Sequence, residues 1–567
     1  MPTFDLLAEP WIPVVREDGT RDEVGLRKAL LDAPRIREIS DPMPTVEFGL
    51  YRLLVALVMD IHELKLLADL EELLAAGEFD DAKVEAYFTR WADRFDLFHS
   101  EHPFLQTAGM EGEEKPLAAL LPPMPSGTNV THFHHGLEAT FRAGPAAAAR
   151  LLTTLAPFAT KGGQGQPQSI NGAPPWYVLI TGTTLFDTVC LNCCVLPLPT
   201  ARGDTPPAWR NDRPLPSGRA TQASLLEALT WRPRRMQLMP GGPARCCLTG
   251  VHSPQIVHAM RFTGGVFWDG QRVTWVDPSV GYRITADGMK SQRPREGREL
   301  WRDTGPMALL READYEAQEG KRIVRFERPA VVTQFGRLVS DGFLPRATEL
   351  TLRLYGMRAK DAKTYEWQRE TLSPPARLIW RSEFRSHAQD AMVRAESIAK
   401  TLLVAVEFAH SRPAKRSYTP TDHAGITNAA FDEWTRLRKT RPREVEARQR
   451  AAQSERHFWS DLRPDYDLFL KRLADLPEDG YDEALAASIS AWNERLREVG
   501  RQALDDAIGD LDTDADALVR QVNARSFFRR QLHYLLLSPE EKAALNRKRP
   551  RGRKAAPIAP KKGGAEQ

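Results

Sequence analysis

The side chains with the most chemical potential stand in four places. His132-Phe133-His134-His135 gathers three imidazoles. His132 and His134 alternate as on a strand, which suits either a zinc set or a loop that offers donors to phosphate. No HExxH motif or partner carboxylate stands at metal-ligand spacing beside them. Cys190-Leu191-Asn192-Cys193-Cys194 has the spacing of half a zinc ribbon, but its neighbours from Leu185 to Leu196 are strongly apolar, and small buried cysteines are common in such runs. Cys246-Cys247 lies among Gly241, Gly242 and Gly250, a setting closer to a metal knuckle. Adjacent cysteines do not easily share one tetrahedral ion, and the remaining ligands are missing. Lys161-Gly162-Gly163-Gln164-Gly165-Gln166 is a glycine-rich loop without the GK[ST] ending of a Walker motif or the strand-to-helix setting of GxGxxG. It offers amide donors, glutamine side chains and a backbone able to approach a surface closely, as a phosphate line, a nucleic-acid groove or a plain surface loop would use it. No paired carboxylates, GxSxG or Cys/His nucleophile arrangement stands out, so no catalytic residue is assigned and no cofactor is expected.

Charge narrows the partners. The 567 residues carry 78 Lys+Arg and 75 Asp+Glu, a net of only +3. Eight basic residues and one acid follow Asn546, so the tail holds +7 and the preceding body −4. Between residues 139 and 245, eleven Lys/Arg face four acids. Any nucleic-acid contact must therefore be a patch on an otherwise balanced surface. The Arg-rich run Arg436, Arg438, Arg441, Arg443, Arg448 and Arg450 alternates with Glu and Gln and reads as a solvated face. No apolar run approaches the ~20 residues needed to cross a bilayer, so no membrane role is expected. The N-terminus lacks a basic-then-apolar leader, and five cysteines, an odd number, point to a reducing cytoplasm.

The elements that position these groups read as α+β: a large mixed α/β N-terminal domain, then a four-helix bundle. Phe4 to Val14, with two prolines, predicts an edge strand or extended arm. Thr45 to Ala76 predicts one long amphipathic helix on the spacing of Leu50, Leu53, Leu54, Leu57, Val58 and Ile61. A second helix is expected around Asp80 to Phe98. Strands are expected near 176–180, 260–282, 322–339 and 347–355. Beyond Ser373-Pro374-Pro375 glycine almost vanishes, and helical patterns follow at about 383–411, 428–475 (interrupted at Pro442), 483–508 and 513–537. The expected organisation is 1–374, 375–546 and a disordered basic tail at 547–567.

Seven stretches, in order along nearly the whole chain, resemble the large subunit of the type I-E CRISPR surveillance complex Cascade (the CasA family). They are FDLLAEPWIPV at 4–14, HSEHPFLQT at 99–107, LTWRPRRMQL at 229–238, VDPSVGYR at 276–283, GRELWRD at 297–303, ELTLRLYGM at 349–357 and SERHFW at 454–459. The resemblance implies a non-catalytic DNA-binding subunit that joins other Cascade subunits and crRNA. Such a subunit recognises the protospacer-adjacent motif (PAM) in double-stranded target DNA, helps to open the duplex and presents it to a helicase-nuclease. In this family a glycine-rich loop enters the minor groove, and Lys161, Gly162, Gly163, Gln164, Gly165 and Gln166 match it. An adjoining loop with His132, Phe133 and His134 matches the contact with the start of the guide and the PAM-proximal DNA. A strand-separating wedge corresponds to Arg358, Lys360 and Asp361, with Asp361 where the family often carries Gln. Some members hold a four-cysteine zinc site. This chain keeps Cys246 and Cys247 but has Leu137, Glu138, Ala139 and Thr140 at the other half, which implies no bound metal. The alternatives are a metal-dependent hydrolase using His132, His134 and His135, which would lose activity on His134→Ala, and a stand-alone duplex DNA-binding protein that needs no RNA.

Overall fold

The Pro44–Ile61 helix is the hub of the N-terminal part. Pro44 sits in its first turn, where a missing N–H is harmless, and every residue from Thr45 to Ile61 is buried. A helix apolar on most sides belongs inside a core, and here the stripe expected on one face is surrounded. The single helix expected over 45–76 is two. His62 caps the first, Glu63 takes a left-handed φ of 51°, and the Asp69 carboxylate accepts from the Lys65 and Leu66 amides to start the second, Leu67–Ala76. Gly77, at φ +75°, ends it as a left-handed cap.

In this computed structural model the described residues are 3–121, 140–161, 165–211, 218–269, 274–313, 315–319, 322–360, 363–411, 445–509, 511 and 514–548. They form two compact units, Met1–Ala388 and Gln389–Gln567. Composition changes at 373–375, whereas this division falls at Ala388, inside the Ser382–His410 helix.

In the first unit three antiparallel sheets matter most. Ile12–Arg16 lies between Arg21–Val24 and Ile36–Ile39. The strand expected at an edge is therefore central. Pro13 is tolerated because pairing with the third strand runs only over Val14 to Arg16, while the Pro13 carbonyl accepts from the Ser40 amide. Thr351–Lys360 lies between Lys363–Leu372 and Tyr177–Thr181. Ile256–Gly264 lies between Lys115–Pro116 and Arg234–Gly241. A four-stranded sheet holds Tyr282–Thr285 and Arg322–Glu327. The strand expected over 322–339 ends at Glu327; Pro329 then opens the Ala330–Ser340 helix, whose apolar residues recur at helical spacing. The expected helix 80–98 shortens to Asp81–Arg90 plus a turn at Ala92–Arg94.

The second unit is helical, with Val445–Ala474, Asp482–Gly509, Ala515–Leu536 and Pro539–Lys548 following the end of Ser382–His410. Asp482–Gly509 is the centre. Trp492 donates to the Ala391 carbonyl, Ser454 donates to the Ala503 carbonyl, and Gly500 faces Phe528 and Ile398. Four long helices thus share one core, and the α+β class with a helical C-terminal part is the observed one. Residues 428–444 of the second expected helix, with Pro442, lie outside the described residues. Arg448 and Arg450 are exposed on its observed part.

Candidate nucleic-acid interface

The glycine-rich loop is held through a chain of contacts that begins in the hub helix. A Cβ on Gly49 would lie 2.6 Å from the Thr153 hydroxyl and 2.7 Å from its carbonyl, so glycine alone lets the Pro145–Thr153 helix pack this close. The Leu155–Phe158 turn follows and delivers the chain to Ala159. There the Ser169 amide donates to the Ala159 carbonyl at 2.8 Å and closes a neck. Between these points Lys161 and Gly165 are exposed, Gly165 at φ +78°, and Gln166 is half-buried. Gly162, Gly163 and Gln164 lie outside the described residues.

Below the neck two groups of side chains fix the flanks. Ala156 and Ile170 pack on a cluster of Trp231, Trp268 and Trp275. Asn171 donates to both the Tyr177 hydroxyl and Asp277, and Tyr177 in turn donates to the Pro157 carbonyl at 2.7 Å. Burial and Asp277 push the Tyr177 phenol above its ordinary pKa, so it remains a donor. Arg52 completes the network with a 2.8 Å ion pair to Asp277 and a hydrogen bond to the Leu229 carbonyl. Both partners are almost wholly buried, and such a pair fixes geometry more surely than it adds stability. Arg234, on the strand behind, donates to the carbonyls of Thr160 and Pro167.

His132, Phe133 and His134, with His135, lie outside the described residues. The segment that carries them leaves at Leu121 and returns at Thr140. Both of its approaches reach one strand: Lys115 and Pro116 pair with Met260 and Ala259, and Ala143 bridges Val257. The far end of that strand, Gly264, abuts Gly165. One strand thus ties together the roots of both candidate loops.

Arg358 lies near the end of Thr351–Lys360, in ion pairs with Glu296 at 3.0 Å and Glu366 at 3.7 Å. Lys360 pairs in register with Lys363 at the last rung of a hairpin. Asp361 lies outside the described residues. The root of this hairpin is locked by Glu47, fully buried in the hub helix, which accepts from Arg353 at 3.0 Å, the Tyr355 hydroxyl at 2.5 Å and Arg369 at 2.5 Å.

Cys190, Cys193 and Cys194 are buried, and burial raises their thiol pKa values. They are core residues. Cys246 is buried and Cys247 exposed, with the Cys247 sulfur 3.8 Å from the Thr140 carbonyl. Burial pushes the Cys246 thiol up, but hydrogen bonds from the Thr249 hydroxyl and the Gly144, Thr249 and Leu248 amides outweigh it and leave the pKa below the ordinary value. Among the described residues no group of three or more His, Cys, Asp or Glu is arranged to hold a metal ion. The two cysteines alone do not make a four-cysteine zinc site. No helix among the described residues is long and apolar enough to cross a membrane.

Arg234, Glu47 and the Arg52–Asp277 pair carry the geometry, but no sequence reasoning assigned them a role. Arg234 and Asp277 fall within the family-like stretches at 229–238 and 276–283, and Glu47 and Arg52 show only as charged interruptions, with Asp60, of a largely apolar helix.

Comparison with known proteins adds kinship to this geometry. The family of CRISPR-associated protein Cse1 matches residues 5–503. The CRISPR-associated protein CasA/Cse1 of Thermus thermophilus is 30% identical over 513 residues, covering 88% of this chain and 94% of that protein. The crystal structure of Cse1 from Acidimicrobium ferrooxidans superposes with a TM-score of 0.69 at 24% identity, covering 94% of this chain and 99% of that one. A chain of a solved CRISPR RNA-guided surveillance complex matches with a TM-score of 0.66 at 19% identity, over 93% of this chain and 100% of that one. The sequence matches extend over most of the molecule, and this chain belongs to the CRISPR-associated Cse1 (CasA) family.

Proposed function

We propose that this chain is the large, non-catalytic subunit of a cytoplasmic type I-E crRNA-guided surveillance complex. In this reading it recognises the PAM of double-stranded target DNA through the minor groove, promotes local strand opening and recruits a helicase-nuclease. Residues 1–374 carry recognition, the 375–546 bundle joins the neighbouring subunits, and 547–567 is an electrostatic tail. Kinship with Cse1 proteins, and a fold shared with a chain of a CRISPR RNA-guided surveillance complex, support a place in such an assembly.

One observation supports the DNA reading: the feet of the glycine-rich segment are clasped by the Ser169–Ala159 and Arg234 hydrogen bonds and rooted in the core, with Lys161 and Gly165 at the surface. The minor groove is only about 6 Å wide, so a reader must be thin, and main-chain amides flanked by glycine are the thinnest donors available. Its donor–acceptor pattern is degenerate, so several related PAMs would be tolerated. That suffices where pairing with the guide supplies the remaining specificity. The Thr351–Lys360/Lys363–Leu372 hairpin, braced at its root by Glu47, is the stiff element that would part the first base pair, with Arg358 and Lys360 toward its end and Asp361, outside the described residues, next in sequence. His132, Phe133 and His134 would meet the start of the guide by stacking and hydrogen bonding.

The test is binding of the reconstituted RNA-containing complex to duplexes with and without a PAM. Replacement of Gly163 by Leu is expected to lower affinity for the PAM-bearing duplex about tenfold or more, on the scale of one lost base-pair contact, with assembly intact. Equal affinity of the wild-type complex for both duplexes would refute the reading.

A further inference from the structure

We propose that Arg234 and Gly264 are positioning residues that set the pose of the glycine-rich loop and so govern discrimination between PAM-bearing and PAM-lacking DNA. This rests on the minor-groove reading of the loop and deepens it.

Arg234 stands on the Arg234–Gly241 strand behind the loop. One arm of its guanidinium donates to the Thr160 carbonyl at 2.8 Å; the other donates to the Pro167 carbonyl and, at 3.1 Å, to the Pro233 carbonyl. Thr160 and Pro167 are the two feet of the loop, just inside the Ala159–Ser169 neck. A planar fork with fixed donor directions can span two acceptors at once, which an ammonium cannot do with the same geometry. Arg234 forms no ion pair among the described residues, and burial alone pushes its pKa down to about 10. At neutral pH it therefore stays charged, its positive charge directed to the base of the loop rather than to a carboxylate.

Gly264 acts from the neighbouring strand. A Cβ there would fall 1.9 Å from the Gly165 carbonyl oxygen and 3.4 Å from the Pro167 ring. The next residue, Gly265, is equally confined, since its Cβ would fall 2.4 Å from the Arg232 carbonyl. The Gly264-Gly265 pair is thus a thin spacer between the loop and the strand of Arg234. Because base recognition needs donors within hydrogen-bond reach of the groove floor, a shift of either foot would carry the exposed Lys161 or Gly165 beside it out of reach.

The experiment compares Arg234→Lys, Gly264→Ala and, as reference, Gly163→Leu in the assembled RNA-containing complex. It reads affinities for duplexes with and without a PAM, melting temperature, and hydrogen exchange of the amides across 159–169. Arg234→Lys keeps the charge but not the fork, so the affinity ratio should fall about tenfold, the scale of one misread base pair. Exchange of the Ser169 amide should quicken while affinity for the PAM-lacking duplex holds. Gly264→Ala should lower the ratio alike and decides the matter if Arg234→Lys does not assemble. An unchanged ratio in both variants, with Gly163→Leu impaired, overturns the proposal alone. An unchanged ratio in all three overturns the reading of the loop itself. A parallel drop in both affinities with a lower melting temperature would mark Arg234 as a stabilising residue only and also overturn the proposal.

Discussion

At the scale of residues, the polar groups that matter most are those that break the apolar pattern. Arg52 and Glu47 interrupt a helix otherwise fit for a core, and each is matched by a partner more than two hundred positions away. Sequence spacing reveals the interruption but not the partner, whereas the histidine cluster at 132–135 draws the eye through composition alone. His62 makes the point testable. It ends the hub helix, packs on Phe79 at 5.7 Å and leaves Nε2 buried without a hydrogen bond among the described residues. Burial pushes its pKa down to about 4, with Lys83 adding to the effect and Asp80 opposing it. The unfolded chain, with an imidazole near 6.5, then binds the proton more readily between these values. Stability is full above pH 6.5 and is lost as pH falls toward 4. His62→Phe keeps the ring contact and removes the titration, so the drop in melting temperature between pH 7.5 and 5 should be smaller than in the wild type. Identical slopes would show that the imidazole is not held neutral.

At the scale of elements, periodicity finds most helices and several strands, including the Tyr177–Thr181 strand and the first strand of the hairpin. It fails where a local group overrides it. Asp69 caps a new helix inside a continuous apolar pattern, and Pro329 turns an apparent strand into the Ala330–Ser340 helix. Pro13 suggests an edge, but the centre of a sheet accommodates it once one neighbour is short. The neck of the glycine loop is illegible in sequence for a related reason, because its clasp consists of main-chain carbonyls that carry no residue signature. The hairpin shows what an element gains from a distant anchor. Glu47 serves Arg353, Arg369 and Tyr355 at once, and Arg353 also reaches Glu38 at 2.6 Å. Glu47→Gln removes the shared charge, leaving Arg353 with Glu38 alone and the partly exposed Arg369 facing solvent. Breaking a wholly buried pair costs about 3–5 kcal/mol; with both arginines partly relieved the loss should be smaller, about 1–3 kcal/mol, to be read from chemical denaturation of the purified chain. A change near zero would mean that both arginines find solvent and that the hairpin is anchored by its backbone pairing alone.

At the scale of the whole molecule, the proposed DNA role divides by charge into two kinds of affinity. The body through Asn546 is slightly acidic and the last 21 residues carry +7. The family match ends at residue 503, before this basic run. Residues 549–567 lie outside the described residues, and their effect follows from charge alone. A loop that reads a few base pairs contributes a preference, while a run of Lys and Arg contributes attraction to any phosphate chain through counterion release. Removal of 547–567 should therefore weaken binding to PAM-bearing and PAM-lacking duplexes by the same factor at low salt and leave their ratio intact. The dependence of log affinity on log salt should become shallower by about 0.9 for each phosphate the tail had neutralised. Above a few tenths molar salt the truncated and full-length complexes should converge, because the Debye length then falls below about 8 Å. If the truncation instead alters the ratio at constant slope, the tail reads sequence or shape. If neither ratio nor slope moves, its charge is spent on a neighbouring subunit or the guide rather than on target DNA.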